Sequence, residues 1–290
     1  MADLIALIKV LRDRTGAGLM DCKAALLASD NDVDKACDYL REKGLAKAAK
    51  KADRIAAEGL ALTKTCDSCG KTVIIEVNCE TDFVSKGDAF KELVNGCADL
   101  ILKNNPKDLD EAKSLTANLF TDATVKMGEK FDLRRFVVLD KEGDNAVYTY
   151  IHMGGKIVVA LILDKDCPEL GKGLAMHIAA NNPTYKTKAD IGAVAIEHVT
   201  KVQTEAAKND PRFAGKPEQM LQRAIEGKVN KYFSEMVLTE QAYLLDDSKK
   251  VGQVLTENKV NVVKYVRYQV GEGIEKRKDD FASEVMAQAK

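Results

Sequence analysis

Leu60-Ala61-Leu62-Thr63-Lys64-Thr65-Cys66-Asp67-Ser68-Cys69-Gly70-Lys71-Thr72-Val73-Ile74-Ile75-Glu76-Val77 is the stretch at which the chain changes period. Two β-type runs, residues 60–65 and 71–77, flank a short polar loop ending in glycine, which is the pattern of a hairpin. The second run leaves through Asn78-Cys79-Glu80-Thr81-Asp82-Phe83-Val84, and Asp88 then opens an amphipathic helix. Phe90, Leu93, Val94, Cys97, Leu100 and Ile101 recur on one face of that helix, and Pro106 lies just past its end. More helix is predicted between Leu109 and Met127. A second β-rich region follows: residues 133–139, a turn at 142–145, residues 147–152, and a buried-looking strand at 156–163. A helix through residues 174–179 stops near Asn182-Pro183, because the residue before proline is pushed out of helical geometry. Strand, helix and strand thus occur twice. Short turns do not supply the crossovers that parallel pairing needs, so the reading is an α+β fold of two similar subdomains with antiparallel sheets.

Outward from this core, the first 45 residues read as three short helices. Leu4, Leu7, Ile8 and Leu11 form one apolar stripe, and Val33, Ala36, Cys37 and Leu40 another. Gly16 and Gly18 mark a sharp break between helices, Asn31-Asp32 suits an N-cap, and Gly44 suits the end of the third helix. Residues 46–58 read as a linker helix. Towards the other terminus, Ile191, Val194, Ala195, Val199 and Val202 stripe one helix of a helical hairpin, with a loop at 211–217 and a second helix at 218–232. Its narrow stripes leave it to project or to pair with another chain. A strand is predicted at 262–270 and a charged helix at 279–289.

Composition bounds the function. The 290 residues carry 44 Lys+Arg against 45 Asp+Glu, no Trp and 6% aromatics, which disfavours a nucleic-acid binder. No run of 18 apolar residues and no signal peptide is evident, so a cytoplasmic protein with no membrane partner is expected, with the mature form of an organellar protein as the less favoured alternative. Seven scattered cysteines fit a reducing compartment, with Cys22, Cys37 and Cys97 on apolar helix faces. No phosphate-binding loop, nucleophile elbow or HExxH occurs, so no catalytic residues, metal ligands or cofactors are assigned. Cys66 and Cys69 have the spacing of half a zinc site or of a redox pair, but no second CxxC or HxxxH completes a site, and His152, His177 and His198 are dispersed. A CxxC-dependent redox or zinc protein is the alternative function.

The segment Thr81-Asp82-Phe83-Val84 places a carboxylate beside a large aromatic on a strand-to-helix exit. It has two readings: an exposed functional turn, or a helix cap in which Phe83 is stapled into the core.

Arg14-Thr15-Gly16-Ala17-Gly18-Leu19-Met20-Asp21-Cys22-Lys23-Ala24-Ala25-Leu26 and Glu76-Val77-Asn78-Cys79-Glu80-Thr81-Asp82-Phe83-Val84 together closely resemble the elongation factor Ts family. The likeness continues through residues 47–52, 176–180 and 270–276. It implies an N-terminal ubiquitin-associated-like three-helix module at 1–53 and a core N-subdomain at 54–140. A core C-subdomain at 141–185 and 235–269 would carry an inserted dimerisation hairpin at 186–234, with a C-terminal module at 270–290. The implied activity is guanine-nucleotide exchange: the chain would bind elongation factor Tu in its GDP-bound and nucleotide-free forms and promote GDP release, without being an enzyme. By the same resemblance Thr81, Asp82, Phe83 and Val84 would disturb the magnesium and phosphate-binding elements of the GTPase. His152 would grip it from the second subdomain, and Gly18, Leu19 and Met20 would dock the N-terminal module. The hairpin would allow a homodimer.

Overall fold

The computed structural model describes residues 2–66, 68–213 and 217–275. The charged helix expected at 279–289, and with it most of the C-terminal module, lies outside the described residues. The fold is α+β, and the chain divides into two compact units: residues 1–140, 151–158 and 268–290 in one, residues 141–150 and 159–267 in the other.

The first unit begins with three helices, α1 (Ala2–Thr15), α2 (Leu19–Ala28) and α3 (Val33–Lys50). They bury Leu11, Ala17, Cys22, Ala25, Leu26, Ala36 and Leu40 as a small core of their own. Asp32 caps α3 by accepting from the amides of Asp34 and Lys35. The expectation that Gly44 ends this helix is wrong: α3 runs on to Lys50 and absorbs the start of the expected linker helix. Gly44 is buried mid-helix because a neighbouring helix crosses there, and a Cβ at this position would come within 2.6 Å of Val125 Cγ2.

The expected hairpin forms as β1 (Glu58–Cys66) and β2 (Lys71–Cys79), and β3 (Asp132–Asp140) joins β2 on its other side to give an antiparallel sheet of order β1-β2-β3. Between β2 and β3 come the short α4 (Asp82–Lys86), then α5 (Asp88–Asn104) and α6 (Leu109–Met127). Phe90, Leu93, Val94, Cys97 and Ile101 of α5 pack on Val73, Ile75 and Val77 of β2. This is the apolar face that the periodicity marks, except that Leu100 is only half-buried and lies outside the packed cluster.

Among the described residues of this unit, one carboxylate is buried. Glu76 of β2 is fully inaccessible and accepts from Arg134 Nη1 (2.9 Å), Arg135 Nε (2.6 Å) and the amide of Gly271 (2.8 Å). A buried carboxylate is tolerated only when paired and hydrogen-bonded, and these three donors meet that condition. Arg135 also lies over the Tyr268 ring, 4.2 Å from its centroid.

Next in the chain come β4 (Ala146–His152), β5 (Ile157–Leu163) and α7 (Pro168–Asn181), then the helical hairpin α8 (Ala193–Lys208) and α9 (Glu218–Met236). The chain ends its described part with β6 (Ala242–Tyr243), β7 (Asp246–Lys250), α10 (Val251–Asn258) and β8 (Val262–Gln269). A second three-stranded sheet has the order β4-β5-β8, and β6 pairs antiparallel with β7. The stripe expected on α8 is only partly buried. Val199 and Ala207 are covered, while Val194 is 81% exposed and Val202 is also exposed, because α9 shields only one narrow line of that helix. In the second unit, His177 is a buried structural residue. Its Nε2 pairs with Gln241 Oε1 at 2.8 Å, and its Nδ1 lies 3.1 Å from Asn181 Nδ2 and 3.2 Å from the Leu244 amide. With two donors facing Nδ1, the ring is neutral with its proton on Nε2, and burial lowers its pKa below the ordinary histidine value. No helix among the described residues is long and apolar enough to cross a membrane.

Candidate functional site

The turn at 81–84 sits where β2 ends and α4 begins. Thr81 is the N-cap of α4: its backbone is extended (φ −126°, ψ 155°) and its hydroxyl accepts from the Val84 amide at 3.4 Å. The capping half of the alternative reading therefore holds. Its stapling half does not, because Phe83 is 85% exposed and it is Val84 that packs onto the core. Ser85, buried behind the turn, donates to the Asp82 carbonyl at 3.1 Å. The result is a large aromatic held out in water on a short, anchored helical turn. A single exposed apolar side chain is ordinary in a folded protein, so what sets Phe83 apart is the fixed turn that carries it.

Sequence reasoning missed what anchors the turn. Glu129, two residues past the end of α6, accepts from the amides of Glu80 (3.0 Å) and Thr81 (3.1 Å) through Oε2 and from the Thr81 hydroxyl (2.6 Å) through Oε1. In return the Lys130 amide donates to Glu80 Oε1 at 2.7 Å, and Arg54 Nη1 donates to Glu80 Oε2 at 3.1 Å. Two adjacent pairs of residues thus exchange carboxylate-to-amide bonds, each carrying a formal charge and so stronger than a neutral bond. The loop can supply Glu129 there because Gly128, in the left-handed region (φ +75°), ends α6 and reverses the chain. The Cys79 thiol donates to the Thr81 carbonyl at 3.2 Å, and burial pushes its pKa up to about 12, so it is a neutral structural donor. In the sequence the only signal of this clamp is a glutamate immediately after a helix-ending glycine.

Asp82 pairs with Lys86 one helical turn on, at 2.6 Å. Lys86 is exposed and Asp82 half-exposed, so the pair is solvent-screened and adds little stability. The Lys86 hydrogen bond, and the further charge of Lys156, hold the Asp82 carboxyl below the usual carboxylate range. Asp82 is an anion beside Phe83 at neutral pH.

His152 lies in the same unit, exposed at the end of β4 where the chain turns through Met153, Gly154 and Gly155, all at positive φ. This turn is fastened to the first hairpin. The Ala61 amide donates to the Gly155 carbonyl at 2.8 Å, and Lys156 Nζ meets Glu58 Oε2 at 2.7 Å. Glu58 is the residue paired with Cys79 in the β1–β2 register. The structure therefore brings the His152 turn and the Thr81 turn to the same end of that hairpin, with the Lys156 charge felt at Asp82.

Gly18, Leu19 and Met20 occupy the bend between α1 and α2. Gly18 is the N-cap of α2 with an ordinary negative φ; the positive φ belongs to Gly16, which lies against the Lys126 side chain. Leu19 is 54% and Met20 71% exposed, while Ala17 beside them is buried. An ion pair from Asp21 to Lys47 of α3, at 3.1 Å, secures the start of α2. The contacts of this bend run to α3 and α6.

All seven cysteines are free thiols, and among the described residues no group of three or more His, Cys, Asp or Glu side chains is arranged to hold a metal ion. A family model described as Elongation factor TS matches residues 80–272, from the anchored turn to the Gly271–Glu272 segment beside Glu76.

Proposed function

Since the chain belongs to the elongation factor Ts family, whose role is in the elongation step of translation, we propose that it is the guanine-nucleotide exchange factor for elongation factor Tu. It binds the GDP-bound GTPase, promotes GDP release and leaves the emptied site for GTP. It does so without making or breaking a covalent bond, and it works in the cytoplasm. The observation that carries this reading is Phe83, 85% exposed on a turn that Glu129 and Glu80 lock from both sides.

The physics is linkage. A partner that binds the nucleotide-free GTPase more tightly than the GDP form must weaken GDP by the same factor. Magnesium and backbone amides supply much of the attraction for a nucleotide's phosphates, so a group that displaces them loosens the nucleotide where it is held most strongly. Phe83 is the displacing group in this proposal. Asp82 supplies negative charge beside it, and Thr81 and Val84 fix its direction, one as cap and the other as anchor. His152 adds a second contact from the turn tied to the same end of the hairpin. Gly18, Leu19 and Met20 form a third, in which the two exposed side chains gain burial against the partner.

The division into modules at 1–53, 54–140, 141–185 with 235–269, 186–234 and 270–290 is part of the same proposal. So is a homodimer through the α8–α9 hairpin, supported by the exposed Val194, Val202 and Met220.

The test is release of a fluorescent GDP analogue from elongation factor Tu. The wild-type chain accelerates release, Phe83→Ala loses most of the acceleration, and the Cys66→Ser/Cys69→Ser double variant retains it. Absence of acceleration by wild type overturns the proposal. Full activity in Phe83→Ala overturns the role of the turn.

A further inference from the structure

The far end of the β1–β2 hairpin carries a feature that exchange does not use. Cys66 pairs with Lys71 at that end, while Glu58 pairs with Cys79 at the end bearing the Thr81 turn. Eight residue steps at about 3.4 Å separate the two, roughly 27 Å. The Gly70 amide donates to the Cys66 carbonyl at 2.9 Å, with Gly70 in the left-handed region (φ +66°). This bond closes a tight turn. The fourth residue of this five-residue turn folds back on the first, bringing the Cys69 thiol onto the Cys66 carbonyl, and a disulfide, which spans Cα atoms about 4.4–6.8 Å apart, closes only where two residues fold onto each other in this way.

The Cys69 side chain folds back over Cys66. Cys69 Sγ lies 3.8 Å from the Cys66 carbonyl oxygen, and Ser68 Oγ is 3.2 Å from Cys66 Sγ. Cys69 is exposed and Cys66 half-exposed, whereas Cys22, Cys79 and Cys97 are buried. The two neighbours are not equivalent. The thiol hydrogen bond from Cys69, helped by Ser68, holds the Cys66 pKa below the ordinary thiol value, and the same bond raises that of Cys69. Burial pushes Cys97, like Cys79, up to about 12.

We propose that Cys66 and Cys69 form a reversible dithiol–disulfide site at the hairpin tip, with Cys66 as attacking thiolate, Cys69 as resolving thiol, and a low-molecular-weight disulfide as oxidant. The Cys66 thiolate attacks one sulfur of the oxidant RSSR, giving a Cys66–S–S–R mixed disulfide and releasing RS⁻. Cys69 loses its proton to solvent and attacks Cys66 Sγ, expelling a second RS⁻. In sum, two thiols of the protein are oxidised and one external disulfide is reduced to two thiols. The chemistry asks for no third ligand, which matches the lack of any further His, Cys, Asp or Glu in a shared cluster among the described residues.

Glutathione disulfide is the probe. The reduced full-length chain is equilibrated with it at neutral pH, quenched with acid, alkylated after unfolding and digested with trypsin. The tryptic peptide spanning residues 65–71 carries Cys66 and Cys69 and no other cysteine. It should be recovered two hydrogens lighter as an internal disulfide, with the other five cysteines alkylated. Cys69→Ser, which keeps a hydrogen-bond donor beside Cys66, should accumulate a stable glutathione adduct at Cys66, and Cys66→Ser should react several-fold more slowly. A wild-type peptide that stays reduced, or that keeps glutathione adducts without closing, overturns the proposal, as do equal rates in the two single variants. None of these readouts involves nucleotide release, so the result stands independently of the exchange reading.

Discussion

Replacing Glu129 by alanine removes the carboxylate on which three hydrogen bonds of the Thr81 turn converge, from the amides of Glu80 and Thr81 and from the Thr81 hydroxyl. A hydrogen bond to a charged group contributes about 1.5–3 kcal/mol where water is excluded and nearer 1 kcal/mol where water takes its place. Thr81 is exposed, so the lower figure applies, and the three together come to about 3 kcal/mol. The reciprocal bond from the Lys130 amide to Glu80 survives, so the turn keeps part of its order and the local loss is about 2–3 kcal/mol. At tenfold per 1.4 kcal/mol, the amides of Glu80 and Thr81 should exchange with deuterium roughly 30–150 times faster. Amides of β2 further from the turn, such as that of Ile75, should keep their protection. Acceleration of GDP release should fall along with amide protection, because Phe83 is then presented by a looser base. Glu129→Gln, which keeps one acceptor oxygen but not the charge, should lie between. Unchanged exchange at the two amides in Glu129→Ala would refute the clamp, and a clear loss of protection with full exchange activity would refute its connection to Phe83.

Phe83→Ala should leave urea stability within about 0.5 kcal/mol of wild type, since an exposed side chain adds little to folding. Gly44→Ala should lower stability by about 1–2 kcal/mol despite alanine's better helix propensity, because the new Cβ meets Val125 at 2.6 Å; combining it with Val125→Ala should restore the melting temperature. Glu76→Ala should cost about 3 kcal/mol in urea denaturation by leaving Arg134 and Arg135 without their shared anion, the low end of the usual range because both guanidinium groups reach water. His177 has a folded pKa below its unfolded value near 6.5, so the unfolded chain binds the proton first. The contribution of His177 is therefore complete above that pH and is lost as pH falls through it, by at most about 1.4 kcal/mol per unit. Denaturation at pH 7.5 and 5.5 should show that slope in wild type and a shallower one in His177→Gln.

The elements were legible where period and punctuation agree. The α5 face, the β1–β2 hairpin and the helix ending at Met127 follow from spacing and breakers alone. Gly44 was misread because glycine as a terminator and glycine as a close-packing position look the same in sequence; the decision is made by Val125, 81 residues away. The Thr81 turn was half legible. Its capping residue is a local matter, but whether Phe83 or Val84 turns inward depends on the helical phase of α4 against a core assembled from β2, α5 and α6. The clamp was barely legible, since its bonds join residues 48 to 50 apart with no repeating pattern and its single mark in the sequence is the glutamate after Gly128.

On the proposed reading, the clamp also accounts for an exposed phenylalanine serving as a displacing group. Phenylalanine left in water forgoes about 2–3 kcal/mol of burial, which the partner's surface can return on contact. If the turn were loose, much of that gain would go into ordering it, at about 1–2 kcal/mol per residue fixed. Glu129 and Glu80 fix residues 80 and 81 before any partner arrives, while Val84 fixes the other side. The burial energy of Phe83 then remains available for displacing something in the partner. On this argument the residues that set exchange are those that hold Phe83 still as much as Phe83 itself, and Glu129→Ala should reduce exchange without touching the contact face.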